Sequence, residues 1–154
     1  MFVFRLINNL RMKRAEKAFR KCGKNLVFVG RPRIINASAI SIGDNVCIND
    51  NSYINATESN IMIGNNVTIS ADAKIIAASY DVNAFLYEGC RKHIDYGEIV
   101  IGDNTWICSG ATILPGVKIT GDRVVVAAGA VVDKSFDESK VILGGVPAKV
   151  IKRL

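Results

Sequence analysis

The sequence predicts an all-β fold, a parallel β-helix in which short strands stack coil upon coil. Two observations support this prediction: aliphatic residues recur every six positions, and the phrase Ile-Gly followed by two Asp or Asn residues is repeated. The aliphatic series runs through Ile101, Ile107, Ile113 and Ile119, and copies of the phrase begin at Ile42, Ile63 and Ile101. A period of six fits neither a helix nor simple strand alternation, and it is typical of hexapeptide solenoids.

The first coils are predicted from about Leu26 to Ile75, with three hexapeptides to a coil. Three hexapeptides give three short strands around a roughly triangular core, and equivalent aliphatic side chains then stack at the strand spacing of about 4.8 Å. Asn and Asp at the corners tolerate the left-handed backbone of a tight turn, and the preceding glycine relieves crowding there. Nine residues separate Ile54 from Ile63 in place of six, which predicts an outward bulge at Thr57–Asn60.

The N-terminal segment, residues 1–24, is predicted as a unit separate from the β-helix domain at 25–154. Residues 2–20 carry apolar side chains at helical spacing with Arg and Lys between them, and Gly23 is the expected stop. Two roles stay open for this basic amphipathic helix. It either caps the open end of the β-helix, where strand edges invite aggregation, or lies peripherally on an anionic membrane surface.

The net charge of +6 comes from one segment of the chain. Residues 1–24 hold eight basic residues and a single acidic one, whereas the remainder carries twelve basic and thirteen acidic residues. A nucleic-acid-binding fold would show a basic stripe across the domain itself, so nucleic acid is not an expected partner. The four cysteines form no C-x-x-C pair, and no apolar run reaches the length of a membrane span. We therefore expect reduced thiols and a cytoplasmic protein, with contact at the inner face of the membrane left open.

Residues 77–98 break the repeat, and this excursion from a regular solenoid predicts a functional loop. It contains His93, the single histidine of the chain. After Ile119 one extra residue, Thr120, restores the phrase so that Val126 points inward, although an inward Val125 stays open. From Phe136 onward we expect a tail that leaves the coils and packs against their side.

Four ordered motifs make the chain resemble the hexapeptide-repeat acyltransferases, and within them the sugar O-acetyltransferases of the galactoside, maltose, exopolysaccharide and colanic acid types. The motifs are Ile101–Cys108, Ile113–Ile119, Val126–Val132 with Lys134, and Gly145–Lys152. The resemblance implies a left-handed β-helix, a homotrimer, and acetyl-CoA bound as co-substrate in a groove between neighbouring subunits. It also implies a sugar or glycan acceptor, as in polysaccharide biosynthesis.

The resemblance also implies roles for individual residues in cofactor binding. Trp106 matches a tryptophan that packs against the CoA arm, and Ser109 and Ala128 match positions where the backbone meets the pantetheine amides. Basic positions near the CoA phosphates, where ammonium groups bind strongly, are matched by Lys134, Lys149 and Lys152. Each role has an alternative interpretation. Trp106 simply packs outward, the small residues Ser109 and Ala128 suit a tight coil, and the three lysines belong to a solvated basic tail.

The catalytic position departs from the family pattern. The family's general base is a loop histidine, because imidazole titrates near neutrality and can accept the proton of an attacking hydroxyl. In this chain Tyr80 and Asn83 occupy the places where that histidine is expected. His93 is the candidate replacement, with a merely solvated histidine as the alternative, and Asp81 is a candidate to orient a base or to bind acceptor hydroxyls.

Two functions follow as hypotheses. The first is an acetyl-CoA-dependent O-acetyltransferase acting on a sugar hydroxyl; the second is a catalytically impaired trimeric relative that binds CoA or a sugar without turnover. No metal is expected, because the zinc carbonic anhydrases of this fold need three histidine ligands and the chain has one histidine.

Overall fold

The computed structural model describes residues 16–94 and 97–154. Three parallel sheets wind into a left-handed β-helix, which confirms the predicted fold class. Each coil contributes one strand to each sheet, so the molecule is a three-sided prism with its core along the axis.

The strands follow in chain order, three to a coil. The first coil consists of β1 (Lys21–Cys22), β2 (Val27–Phe28) and β3 (Arg33–Ile35), followed by a 3₁₀ turn at Ala37–Ala39. The second and third coils consist of β4 (Ile40–Ile42), β5 (Cys47–Ile48), β6 (Tyr53–Asn55), β7 (Ile61–Ile63), β8 (Thr68–Ile69) and β9 (Lys74–Ile76). Helix α1 (Val82–Tyr87) lies between the third and fourth coils.

The remaining strands complete two more coils and a C-terminal hairpin. The fourth and fifth coils consist of β10 (Ile99–Ile101), β11 (Trp106–Ile107), β12 (Thr112–Ile113), β13 (Lys118–Ile119), β14 (Val125–Val126) and β15 (Val131–Val132). The hairpin consists of β16 (Val141–Gly144) and β17 (Lys149–Arg153).

The sheets define three faces, which we name A, B and C. Sheet A has the order β1-β4-β7-β10-β13, sheet B the order β17-β16-β14-β11-β8-β5-β2, and sheet C the order β15-β12-β9-β6-β3. The corners are named by the sheets that they join in chain order: AB, BC and CA. The long excursion leaves after β9 of sheet C and returns at β10 of sheet A, so it emerges at the CA corner.

The core consists of the aliphatic residues at the repeat positions. In sheet B they form one inward column, Ile48, Ile69, Ile107, Val126 and Leu143, and each member is fully buried. Fully burying one such side chain stabilises the fold by about 1.5–3 kcal/mol, and equal spacing lets every coil pack on the next. The six-residue period therefore directly encodes the packing.

Removing one rung of this column should be strongly destabilising. We expect Ile69→Ala to lower the free energy of unfolding by about 2–5 kcal/mol, because it leaves a cavity between the second and fourth coils. Urea denaturation at a fixed protein concentration measures the effect. The matched control is Met62→Ala, since Met62 is half exposed on neighbouring β7; a similar loss in both variants would contradict a packed inward column.

The AB corners confirm the predicted turn chemistry. Asn45, Asn66 and Asn104 have φ angles of 57°, 54° and 54°, in the left-handed region. Their side chains form a ladder along the corner: Asn45 Nδ2 donates to Asn66 Oδ1 at 3.0 Å, and Asn66 Nδ2 donates to Asn104 Oδ1 at 3.1 Å. A Cβ atom on Gly43 would lie 2.7 Å from the carbonyl oxygen of Gly64, so glycine is required by the close approach of successive coils.

The N-terminal boundary differs from the prediction. Residues 16–18 are helical, but Lys21–Cys22 is already strand β1, paired with Ser41 and Ile42 of β4. The helix therefore ends before Gly23, and the first coil begins four residues before the predicted start at residue 25. Phe19 is buried in the core and brings the helix end onto the first coil. The rest of the predicted helix, residues 2–15, lies outside the described residues.

The C-terminal tail also differs, because it keeps winding beyond Phe136. Phe136 bridges Ile119 of sheet A in parallel, and β16 adds a parallel strand to sheet B, with Val141 and Leu143 buried. Only after Gly144 does the chain reverse, and β17 then pairs antiparallel with β16. The alternating apolar residues of β16 suit the core, and a longer polar connection before them hides the repeat in the sequence.

Two register predictions are confirmed. Val126 is fully buried and Val125 is not, so the extra residue after Ile119 restores the repeat as expected. Residues 57–59 form a bend, and none of Thr57–Asn60 is buried, in agreement with a bulge. Among the described residues, no helix is long and apolar enough to cross a membrane.

Candidate active site

The excursion begins and ends as a short antiparallel ladder. Asp81 N donates to Lys92 O at 2.7 Å, and Ile94 N donates to Ser79 O at 3.2 Å. Between these bonds Tyr80 and His93 form an antiparallel bridge. Two residues that are distant in sequence are thereby fixed opposite one another at the CA corner.

An imidazole and a phenol lie side by side on this ladder. Bridge partners project from the same face, and the ring centroids of Tyr80 and His93 are 4.6 Å apart at an interplanar angle of 43°. The prediction placed Tyr80 where the family's histidine is expected. His93 therefore brings its imidazole next to that position from the returning side of the excursion.

His93 also meets an acidic residue that the sequence analysis missed. Glu58 Oε1 lies 3.4 Å from His93 Nδ1, and the two side chains are 31% and 48% exposed. Glu58 belongs to the bend between β6 and β7. This bend is the CA corner that connects the second coil to the third, and the excursion is the CA corner that connects the third coil to the fourth. In the sequence, the nine-residue spacing from Ile54 to Ile63 indicates a bulge that contains Glu58. It does not indicate that Glu58 contacts His93.

The carboxylate of Asp81 caps helix α1. Asp81 Oδ1 accepts hydrogen bonds from the backbone N–H groups of Asn83 at 2.8 Å and of Ala84 at 3.2 Å, so Asp81 is the N-cap residue. The sequence analysis proposed Asp81 to orient a base or to bind acceptor hydroxyls. Among the described residues, the carboxylate that contacts His93 is that of Glu58, and the contacts of Asp81 serve the helix.

Helix α1 exposes an apolar surface beside these residues. Its exposed large side chains are Val82, Phe85, Leu86 and Tyr87. Ala84 is the buried residue of the helix. The excursion thus presents apolar area outward from the CA corner.

The residues predicted to bind the cofactor arm lie on another part of the prism. Trp106 is on β11 of sheet B, half exposed, and its Nε1–H donates to Ser70 Oγ at 2.9 Å. Ser109 and Ala128 occupy exposed turns at the BC corner of adjacent coils, and Gly129 N donates to Ser109 O at 3.0 Å. The hydrogen bond restrains the indole on the sheet, and the following turns at 108–111 and 127–130 carry only small side chains.

The three predicted basic residues lie toward the C-terminal end. Lys134 follows β15 at the CA corner, with its Nζ 5.6 Å from the ring centroid of Phe136. Lys149 and Lys152 are exposed on β17 at the edge of sheet B. Within the described part of the chain, none of the three has a carboxylate within 4.0 Å. The ammonium groups are thus not neutralised by ion pairs there.

The candidate base and the residues predicted to bind the cofactor arm lie apart within one chain. Tyr80 and His93 lie at the CA corner, whereas Trp106, Ser109 and Ala128 lie on sheet B and at the BC corner. Across residues 16–94 and 97–154, no hydrogen bond, ion pair or ring contact joins these groups. One prism alone does not bring the candidate base to the candidate cofactor surface.

The cysteines near sheet B are poor nucleophiles. Burial raises the pKa of the Cys47 and Cys108 thiols above the ordinary value, so both are protonated at neutral pH. The pKa of the Cys22 thiol is also raised, mainly by burial and to a lesser extent by the negative charge of Glu16. Thiolate chemistry at these positions is therefore disfavoured.

The fold is a β-helix built from hexapeptide repeats, and comparison with known proteins agrees. Residues 98–134 match the family model of the bacterial transferase hexapeptide, six repeats. The solved structure of a maltose O-acetyltransferase from Clostridium difficile 630 superposes with a TM-score of 0.84 at 30% identity, covering 97% of this chain and 81% of that one. The chain belongs to the hexapeptide-repeat acyltransferase family.

Two further relatives carry sugar names. A structure of galactoside acetyltransferase in complex with coenzyme A matches with a TM-score of 0.82 and 32% identity, over 93% of this chain and 69% of that one. The galactoside O-acetyltransferase of Escherichia coli K12 is 33% identical over 119 residues, which is 74% of this chain and 57% of the relative. The chain spans less than two thirds of the length of this and other curated relatives that it matches.

Proposed function

We propose that this chain is an acetyl-CoA-dependent O-acetyltransferase whose acceptor is a hydroxyl of a sugar or glycan precursor. The observation that carries the proposal is the imidazole of His93 beside Tyr80, 4.6 Å between ring centroids, at the position where the family's base is expected. Relatives named as galactoside and maltose acetyltransferases, one of them in complex with coenzyme A, support the substrate class.

The reaction needs a proton acceptor and a positioned thioester. The acceptor hydroxyl gives its proton to His93 Nε2 as its oxygen attacks the thioester carbonyl carbon. The new C–O bond forms, the C–S bond breaks, and the CoA sulfur leaves with the proton returned from the imidazolium. Histidine suits both steps because its charge changes near neutral pH.

Cofactor binding follows the exposed side of sheet B. In the proposal the CoA arm packs against Trp106, and the pantetheine lies along the small residues Ser109 and Ala128, where the backbone is accessible. The CoA phosphates are bound by ammonium groups at the C-terminal end, on Lys134, Lys149 and Lys152. Free ammonium groups make strong charge-assisted contacts with phosphate.

The separation of the two groups supports a site shared between chains. We propose a homotrimer in which the excursion of one chain, with His93, faces the sheet B surface of its neighbour, with Trp106. Most soluble oligomers close by rotational symmetry, and a closed ring of three would form three equivalent sites. The exposed apolar residues of α1 would then contact the neighbouring chain.

The proposal places the reaction in the cytoplasm. The four cysteines, Cys22, Cys47, Cys90 and Cys108, are all free, which suits a reducing compartment. The basic helix predicted at residues 2–20 keeps both of its roles in this proposal, as a cap and as a peripheral contact with anionic lipid.

The test is turnover against a panel of sugars. We expect acetylated product, detected by mass spectrometry, with stoichiometric release of CoA when galactosides, maltose or glycan precursors are supplied with acetyl-CoA. Isothermal titration calorimetry gives the Kd of CoA in parallel. Saturable CoA binding without thioester cleavage across the whole panel would favour the impaired binding relative, and no CoA binding at millimolar concentration would overturn the proposal.

A further inference from the structure

Two interruptions of the repeat lie at the same corner of the prism. The chain departs from the six-residue period at the bend 57–59 and in the excursion 77–98, and both departures fall at the CA corner of successive coils. The strands on either side keep their register, since Ile61 pairs with Ile40 and also with Ile99. The interruptions therefore do not disturb the core, and they meet outside it through Glu58 and His93.

We infer that Glu58 is a positioning residue for His93 and that the pair replaces the histidine missing at position 80. The inference rests on the proposed function for its catalytic consequence. Its structural content is narrower: Glu58 Oε1 lies 3.4 Å from Nδ1, within ion-pair distance. We expect a carboxylate at this place to favour the tautomer of the neutral imidazole that carries its proton on Nδ1. Among the described residues none bonds Nε2, and in this inference Nε2 is the nitrogen that accepts the proton.

The tautomer decides whether the imidazole can act as a base at its open side. A neutral imidazole has one N–H donor and one bare nitrogen, and the partner of one nitrogen determines which of them is protonated. A carboxylate at Nδ1 is an acceptor only, so it selects the Nδ1–H form and leaves the Nε2 lone pair free. Glu58 is partly buried at 31% exposure, which lessens the screening of this contact by water.

Tyr80 also restrains the imidazole. Its ring packs on His93, and the antiparallel bridge holds the two backbones in register. Side chains at directly opposed positions of such a ladder project from one face with Cβ atoms about 4.5–5.5 Å apart. A histidine at position 93 thus reaches the same space as one at position 80, which explains how the base can move thirteen positions along the chain.

Nuclear magnetic resonance tests the inference without turnover. His93 is the single histidine, so the ¹⁵N signals of one imidazole report its tautomer directly. We expect the Nδ1–H form to predominate in the neutral imidazole of the wild type, to be lost in Glu58→Ala, and to be kept in Glu58→Gln, whose amide oxygen still accepts from Nδ1–H. Glu88→Gln is the matched control, because Glu88 lies in the same excursion and makes its side-chain contact with Cys90.

Activity then tests the catalytic consequence. Glu58→Ala should lower kcat by about 10–100-fold, the loss typical when the partner of a metal-bound histidine is removed, with KM for acetyl-CoA unchanged. Tyr80→His combined with His93→Ala should recover at least about tenfold of the activity that His93→Ala alone loses, because both positions reach one acceptor.

The outcomes separate the inference from the proposed function. A predominant Nε2–H tautomer in the wild type, or an unchanged tautomer in Glu58→Ala, would overturn the inference even if the protein acetylates sugars. A wild-type Nδ1–H tautomer that depends on Glu58, in a protein without turnover, would support the positioning contact and count against the proposed function. Circular dichroism of each variant shows that the fold is retained.

Discussion

Replacing His93 with alanine should lower kcat by about 100- to 10,000-fold while leaving the Kd for CoA unchanged. The size follows from the contribution of a general base, and it corresponds to about 3–5 kcal/mol of transition-state stabilisation. CoA binding should persist because Trp106 and Ser109 lie on sheet B and at the BC corner, away from the excursion. Steady-state kinetics and calorimetry on the same preparation measure both quantities.

The neighbouring residue provides the control for this variant. Lys92→Ala changes an exposed side chain of the same returning segment, and we expect its kcat to stay within about twofold of the wild type, since surface changes away from special contacts are nearly neutral. Equal kcat values for the wild type and for His93→Ala would remove the imidazole from the reaction. A fall in CoA affinity that matches the fall in kcat would assign His93 to binding.

Mixing two inactive variants should restore about one quarter of the wild-type activity. One variant, His93→Ala, lacks the base but keeps its cofactor surface; the other, Ala128→Trp, fills the BC corner with bulk but keeps its excursion. In a closed ring with random equal assembly, about one site in four pairs an intact excursion with an intact corner. Co-expression of the two variants in equal amounts yields this random population, and acetyl transfer measured on the whole of it gives the restored fraction.

The control for the mixing experiment is the same two proteins, purified separately and combined just before the assay. They should show only the sum of their residual activities until subunits exchange. If mixed assemblies are no more active than this sum, the site lies within one chain. A monomeric mass by light scattering would lead to the same conclusion.

The sequence was sufficient for the parts of the fold that depend on repetition. Ile107 stacks on Ile69 because both occupy the same position of the six-residue phrase, and Asn66 has positive φ because the corner needs it. The same stacking and the same corner conformation recur in successive coils, so several copies of the phrase support each prediction. The inward direction of Val126 followed from counting a single extra residue after Ile119.

The parts that escaped prediction depend on contacts between interruptions. Nothing in the residues around Glu58 indicates His93, because the two meet only when successive coils place their CA corners next to one another. Likewise, strand β1 within the predicted N-terminal unit at residues 1–24 and strand β16 within the predicted tail are set by pairing with β4 and β14. Tertiary pairing overrides local periodicity where a repeat is incomplete.

The unequal corners have a consequence for how this scaffold can change. Connections at the BC corner are uniformly short, at 29–32, 49–52, 70–73, 108–111 and 127–130, whereas those at the CA corner range from 36–39 to 77–98. Strand pairing continues undisturbed past the longest of them. A foreign segment grafted between Ala77 and Ile99 should therefore leave the prism folded. In the proposed function such a graft would change the choice of acceptor while the surface assigned to CoA stays unchanged.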